Sequence, residues 1–331
     1  MIVRLNVTDC SSPEMSVIVI TPDNYETIRK TIKRLRAQNV RDRLEVVIVV
    51  PSINSVGLDE SDLKDFHQVR VVEVGAITNT ASARVAGVRH ASAPVVAFVE
   101  DHSFPASGWA EALIKAHRQP WAAVGPVMAN ANPNSLISWA NLIIEYAEWL
   151  EPRPAGVFDH LPGHNGSYKR TILLDYGPDL EAVMEAESVL HWDLRAKGYQ
   201  LYLEPAAKTY HQNFSGAFSW IPLRFHGGRL FAASRAKRWS PSRRCLYAAC
   251  APIIPFVRLW RIVRELRWPG RQCDLLPRVL PVLMAGLAVH GAGELIGYAF
   301  GAGSAMRRLS DMEFHRSRYL TKRDQEAEAL S

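Results

Sequence analysis

The chain has 331 residues, of which 48% are apolar and 22% charged, with a formal net charge of +6. This length suits one large α/β domain with an appendage, or two domains, and the composition excludes wholesale disorder. Four cysteines (Cys10, Cys245, Cys250 and Cys273) show no C-x-x-C spacing and no disulfide-dense pattern, and read as free thiols of a reducing compartment. The N-terminal MIVRLNVTDC lacks the apolar core of a signal peptide, so the main body is expected in the cytosol. The charge is uneven: from Arg224 to Arg271 there are 12 Lys or Arg and a single acid, Glu265.

Met15–Ile20 (MSVIVI) has the pattern of a strand buried on both faces. After the turn Thr21-Pro22-Asp23-Asn24 a helix is predicted to about Gln38. Ile28, Ile32 and Leu35 share one apolar face, and Arg29, Lys30, Lys33, Arg34 and Arg36 lie mostly outside it. Asp23 or Asn24 is its N-cap. Then follow a strand at Leu44–Val50, a polar helical piece at 59–66, a strand at 69–74, a helix at 82–90 and a strand at 94–99. Strands and helices alternating in this way specify right-handed βαβ units, hence an α/β fold with a mainly parallel, Rossmann-like sheet. The first turn, TPDNYE, is not G-x-G-x-x-G, and no G-x-x-x-x-G-K-[ST] occurs, which excludes dinucleotide-binding and P-loop chemistry. A helix starting just after the first strand can offer its N-terminus to a diphosphate, though the positions here favour a pocket for the base.

At the carboxyl end of the fourth strand (VVAFV) polarity flips to Glu100-Asp101-His102, and Pro105 stops the strand. Open α/β sheets bind ligands outside the carboxyl ends of their strands. Two carboxylates and an imidazole there suit a divalent cation and a phosphate. Taken alone, the same three residues read equally well as a solvated acidic turn. Beyond them are a helix at 108–118, a strand at 122–128, a Trp-containing apolar helix at 135–150 and a break at PRPAG (152–156). The polar loop GHNGSYKR (163–170) enters a short strand, followed by a turn at 174–179. A helix at 181–197 carries Glu185, Glu187, His191, Trp192 and Arg195 and closes on Gly198 as its C′ residue; short strands follow at 200–204 and 208–211.

In this order the elements from Met15 to Ser215 resemble a family 2 glycosyltransferase with a GT-A-type fold, of the membrane-associated bacterial kind. The resemblance is carried by SVIVITPDNYETIRKTIKRL, ASARVAGVRHASAPVVAFVEDHSFP, GHNGSYKR and EAESVLHWDLRAKGYQLYLEPAAKTYH, four blocks in register. It implies a nucleotide-sugar donor whose diphosphate leaves with the help of a divalent metal or other cations. Glu100 and His102 then stand as the ends of a D-x-D-type turn, with Asp101 between them. His211 matches a second metal-binding His, although a capped surface histidine is the alternative. The Glu-x-His form departs from the all-acidic turn and leaves Mn2+ or Mg2+ open, with imidazole tilting towards Mn2+.

The resemblance also places Glu187 at the catalytic carboxylate of an inverting mechanism, with Glu185 the near alternative; both could instead be first-turn acids favoured by the helix dipole. Thr21, Pro22 and Glu26 fall where the family contacts the base, and Arg84 where an Arg approaches the nucleotide. His164 and Asn165 lie on the acceptor side. Trp192 is an acceptor platform or a core residue. After the second strand the family's uracil-reading Asp is replaced by Pro51-Ser52-Ile53-Asn54, so Ser52 or backbone groups would substitute, and a UDP or a GDP donor both fit.

Beyond Ser215 these motifs end. The apolar run at 245–257 has only 13 residues and two prolines, too short to span a bilayer. After it, RLWRIVRELRW segregates Arg from apolar positions as a surface-lying helix does. The segment 279–303 is apolar but holds His290 and Glu294 near its centre. Two interfacial or re-entrant helices on the inner leaflet are expected here; a spanning helix, a packed helical pair and an oligomer interface are the alternatives. The basic run is interleaved with Leu, Ile, Val and Pro, which argues against nucleic acid. The expected organisation is a GT-A-type domain at 1–215, a basic apolar helical region at 216–306 and a charged, frayed tail at 307–331. The expected activity is metal-dependent, inverting transfer of a sugar from a UDP- or GDP-type donor to a lipid or lipid-linked glycan. Its rivals are a soluble dimeric transferase with a non-lipid acceptor and a non-catalytic GT-A-type scaffold.

Overall fold

The structure is a computed structural model that describes residues 2–7, 12–185, 187–267 and 275–329. Cys10 and Cys273 lie outside these; Cys245 and Cys250 are free and exposed. By contacts the chain divides into two compact units, Met1–Ala129 with Glu151–His211, and Asn130–Leu150 with Gln212–Ser331.

The first unit is built on a mixed sheet. In chain order its early elements are β1 (Ile2–Val7), β2 (Met15–Ile20), α1 (Tyr25–Arg36), β3 (Leu44–Val50), α2 (Ile53–Val56), β4 (Gln68–Glu73), α3 (Thr80–His90), β5 (Val95–Val99), β6 (Ser103–Pro105), α4 (Trp109–Ala116) and β7 (Ala123–Asn130). After α5 (Leu136–Tyr146) come β8 (Gly156–Phe158), β9 (Ser167–Lys169), α6 (Arg170–Leu174), α7 (Leu180–Met184), α8 (Glu187–Ala196) and β10 (Leu201–His211). The strand order is β1-β4-β3-β2-β5-β9-β7-β10-β6, with β8 paired to β10. β4, β3, β2 and β5 run parallel, and their apolar side chains are buried on both faces. The other half is antiparallel, with β9 against β5 and β7, and β10 against β6 and β8. β1, which no apolar pattern announced, pairs antiparallel with β4 at one edge.

Local chemistry sets these elements. Asn24, not Asp23, caps α1: its Oδ1 accepts the Glu26 amide at 3.0 Å. The face Ile28, Ile32 and Leu35 is fully buried. α3 has almost no apolar stripe, and packs closely because Gly87 leaves room for Ile18 of β2, which a Cβ would hit. The expected helical piece at 59–66 is a series of turns. There Asp59 accepts the Ser61 amide (3.0 Å) and hydroxyl (2.6 Å), and Asp65 takes a left-handed φ of 70°, both of which oppose helix propagation. The expected helix at 181–197 is two, α7 and α8. α7 ends at Met184, with Glu185 as its C-cap, and α8 begins at Glu187. Gly198 closes α8 at φ 86° as expected. The two short strands expected at 200–211 are one strand, β10. Pro205, which lacks an N–H, falls between the stretch paired to β8 and the stretch paired to β6.

The second unit is helical: α5, α9 (Ala217–Arg235), α10 (Pro241–Cys250), α11 (Ile254–Leu266), α12 (Leu276–Phe300), α13 (Ala305–Phe314) and α14 (Lys322–Ala329). α9 and α12 cross with backbones in contact. A Cβ at Gly228 would strike the His290 carbonyl, one at Gly293 the Phe225 carbonyl and one at Gly297 the Arg229 carbonyl. Glu294 is buried in α12, with the Tyr298 hydroxyl donating to it at 3.4 Å and His290 Nε2 at 3.4 Å. In the described part of the tail Met312, Arg316, Leu320 and Asp324 are buried, so this part is packed and not frayed. Arg316 lies 4.1 Å over the Phe214 ring, and Asp324 accepts from Asn132 Nδ2 (3.2 Å), Thr321 (2.6 Å) and Ser215.

Candidate active site

β2, β3 and β5 are neighbours in parallel register, so Thr21, Pro51-Ser52 and Glu100-Asp101-His102 line up along one edge, at the carboxyl ends of the strands. The chain turns at Glu100 into β6, and β6 pairs antiparallel with the end of β10, setting His211 opposite Ser103. This pairing brings together histidines 109 residues apart. His102 Nε2 and His211 Nε2 are 3.2 Å apart, with the rings edge to face at 79°. Each Nε2 is 3.7 Å from Glu100 Oε2. Both imidazoles are buried and Glu100 nearly so.

Among the described residues, Glu100, His102 and His211 are the one set of three His, Cys, Asp or Glu placed to hold a metal ion. Two donors about 2.1 Å from one ion, at angles of 90–120°, are roughly 3.0–3.6 Å apart. The observed 3.2 Å falls within that range and the two 3.7 Å spacings lie 0.1 Å beyond it, and one carboxylate with two imidazoles is a set that Mn2+ accepts. Asp101 accepts a hydrogen bond from His102 Nδ1 at 2.6 Å, which fixes the ring and turns Nε2 towards His211, as carboxylates behind metal-binding histidines do. Burial would push the Glu100 carboxyl up, but the cationic groups around it, His102 foremost, then His164, His211 and Arg84, hold it well below the usual carboxylate range.

Other contacts fix the turn. Thr31 of α1 donates to the Asp101 carbonyl at 2.9 Å, a role that no sequence pattern disclosed. Asn165 is buried in a 3-10 turn before β9, and its Nδ2 donates to Glu100 Oε2 at 2.8 Å, with Ser103 Oγ donating to the same oxygen at 3.3 Å. His164 Nδ1 is 3.4 Å from Glu100 Oε1 and 2.6 Å from Arg84 Nη2. Arg84 is buried over Phe98, with its guanidinium 5.5 Å from the ring. His164, Asn165 and Arg84 thus stand beside the Glu100 turn.

The remaining named residues are more dispersed. Thr21 is buried and its hydroxyl donates to the Asn24 carbonyl at 2.8 Å, while Pro22 is half-buried. Glu26 is exposed and paired with Arg29 at 2.7 Å. Ser52, half-buried, precedes α2, whose first amide is bound by Glu73 at 2.9 Å. Glu185 is exposed after α7. Glu187 opens α8, and its side chain lies outside the described residues. Trp192 is 51% exposed, so it is no core residue, and its Nε1 donates to His160 at 3.1 Å. The next residue back, His191, is buried against the Tyr168 hydroxyl at 2.8 Å.

Residues 16–176 match the family described as Glycosyl transferase family 2. This segment is a family 2 glycosyltransferase domain. The glycosyltransferase domain also has curated relatives, the pre-mycofactocin glycosyltransferases of two Mycobacterium tuberculosis strains, each 25% identical over 232 residues. The match covers 66% of this chain and 47% of each relative, so the chain spans about half the length of the curated relatives it matches. Among solved structures, the mannosyltransferase PcManGT from Pyrobaculum calidifontis, in complex with GDP-Man and Mn2+, superposes with a TM-score of 0.52 at 18% identity, over 86% of this chain and 88% of that one. The fold is GT-A-type.

Proposed function

We propose that the chain is a metal-dependent, inverting glycosyltransferase that moves a sugar from a nucleotide-diphosphate donor to a lipid or lipid-linked glycan. The observation that carries this reading is the convergence of Glu100, His102 and His211 at the carboxyl end of β5 inside a family 2 domain. PcManGT, the mannosyltransferase of like fold, holds GDP-Man with Mn2+, which supports a GDP- or UDP-type donor and Mn2+ or Mg2+ here. When bound, the ion supplies charge neutralisation on the departing diphosphate.

The chain's own residues do the rest. Glu100, His102 and His211 hold the ion, and Asp101 keeps His102 oriented. Thr21, Pro22, Glu26 and Ser52 border the base and ribose, and Arg84 adds positive charge near the phosphates. Glu187, or Glu185 beside it, takes the proton from the acceptor hydroxyl as it attacks the anomeric carbon. Trp192, exposed and held by His160, offers an aromatic face to the acceptor. The acceptor, on this reading, reaches the enzyme at the inner leaflet; the two apolar helices of the second unit support membrane association, not a particular face.

Thermal-shift screening with UDP-, GDP- and CMP-type donors, with and without Mn2+, tests the donor. Stabilisation by one nucleotide class that requires Mn2+ is expected; no stabilisation by any of them would leave a scaffold. Glu187→Gln is expected to abolish transfer, at least 100-fold in kcat, with donor affinity nearly unchanged. A loss of donor binding instead would reassign that residue.

A further inference from the structure

We propose that the α10–α11 segment is an in-plane docking surface for an anionic phospholipid bilayer, and that neither it nor α12 crosses that bilayer. The proposal extends the membrane reading above but is independent of the transfer chemistry.

Pro241–Leu266 exposes one helical stripe. Leu246, Ile253, Phe256 and Trp260 are 60%, 59%, 63% and 62% exposed, and Arg261 and Arg264 continue the stripe. Apolar groups this large and this open, gathered on one face, mark a contact surface. The opposite face is used within the unit: Ala251, Pro255 and Ile262 are buried, and Pro255 packs on Gly291 of α12. Arg264 sits 5.2 Å over the Trp260 ring, an apolar body beside a cationic head, as interfacial residues are arranged.

Charge selects the occupant. The stripe lies in the run of 12 Lys or Arg with one acid, and that acid, Glu265, is already paired with Arg264 at 3.3 Å. A second copy would set this positive face against itself. A layer of anionic headgroups compensates it, at about fivefold in affinity for each arginine near the surface.

Length and polarity argue against crossing. The uncharged apolar run at 245–257 has 13 residues, roughly 20 Å of helix against about 30 Å of hydrocarbon; Pro241–Leu266 is long enough to cross and reaches a mean hydropathy of 1.4, but only by taking arginines into the span. A spanning hairpin would carry Arg258, Arg261, Arg264, Arg267, Arg271 and Arg278 to the far side with its turn, against the positive-inside pattern. α12 is long and apolar enough to span, with a mean hydropathy of 1.7, but its glycine face lies on α9 and its Glu294 is buried there.

The test uses the full chain with vesicles of phosphatidylcholine alone or mixed with phosphatidylglycerol. Co-sedimentation with the mixed vesicles only is expected. The triple variant Arg261→Gln, Arg264→Gln, Arg267→Gln should bind on the order of 100-fold more weakly, and the corresponding Lys variant should bind like the parent. Spin labels placed singly at Leu246, Ile253 and Val257, with the native cysteines replaced by serine, should report one shallow depth. A depth that changes steadily along the segment, by about 1.5 Å per residue, would show a crossing and overturn the proposal. So would equal binding by the Gln variant, or a stripe substitution such as Phe256→Ser that turns a dimer into monomer with no vesicle binding in the parent. Transfer to a soluble acceptor, assayed in the same preparations, reports separately on the enzyme.

Discussion

Asp101 is the residue whose part in the metal turn the geometry defines most sharply. It contributes no ligand atom to the Glu100–His102–His211 set; it holds His102 by Nδ1 at 2.6 Å and so decides where Nε2 points. Asp101→Asn should therefore weaken Mn2+ binding about 10–100-fold without unfolding the chain, measurable by calorimetric titration; unchanged affinity would make Asp101 a bystander. His117 yields a pH prediction. It is buried, its Nε2 is 2.8 Å from Ser167 Oγ, and its Nδ1 has no partner among the described residues. Burial, with Lys169 nearby, lowers its pKa from 6.5 to about 3. A folded pKa below the unfolded one means that the unfolded state binds the proton first, so stability is full above pH 6.5 and is lost as pH falls towards 3. The loss is about 1.4 kcal/mol per pH unit from this one site. His117→Gln keeps a donor to Ser167 and should flatten the difference in urea midpoint between pH 7 and pH 5; an unaltered slope would remove His117 as the cause. At this scale the sequence was uneven. His102 stood out as an imidazole in an acidic turn. His211 was named only through the family resemblance, since nothing in the chain between His102 and His211 signals that β6 and β10 pair. Asn165 was placed on the acceptor side through the resemblance of GHNGSYKR, and that loop's return to Glu100 depends on β9 pairing with β5.

Among the elements, the α9–α12 crossing gives the clearest stability prediction. Gly228, Gly293 and Gly297 let the two backbones touch, and a side chain at any of them meets a carbonyl that cannot move aside. Gly293→Val should cost about 3 kcal/mol or more, read as a lower urea midpoint, whereas Ala292→Val on the exposed face of the same helix should cost little. Equal effects would mean that the helices separate easily. The strands β2, β3 and β5 were legible from continuous apolar runs, and α1 from its stripe. α3 was legible in place but not in packing, since Ala and Gly carry it. What misled was polarity read as helix at 59–66, where Asp59 binds a backbone amide, and β10 read as two strands, with Pro205 between its two stretches where the ladder changes partner.

For the whole molecule, contacts divide the chain between His211 and Gln212, except that Asn130–Leu150 belongs with the helical unit. That exception was hidden because its residues are as apolar as any core helix, and only contacts with α12 and α9 reveal their company. The catalytic reading rests on the first unit and the lipid reading on the second, so each can fail alone. The claim that joins the fold to the chemistry is that Glu100, His102 and His211 hold a divalent ion under a nucleotide diphosphate. It is tested most directly by titrating Mn2+ into the full chain and into His211→Ala, each with saturating GDP and, separately, UDP. The account predicts nucleotide-dependent binding of one ion by the parent and at least 100-fold weaker binding by the variant. Equal affinity in the two proteins, or no ion bound by the parent with either nucleotide, would contradict it.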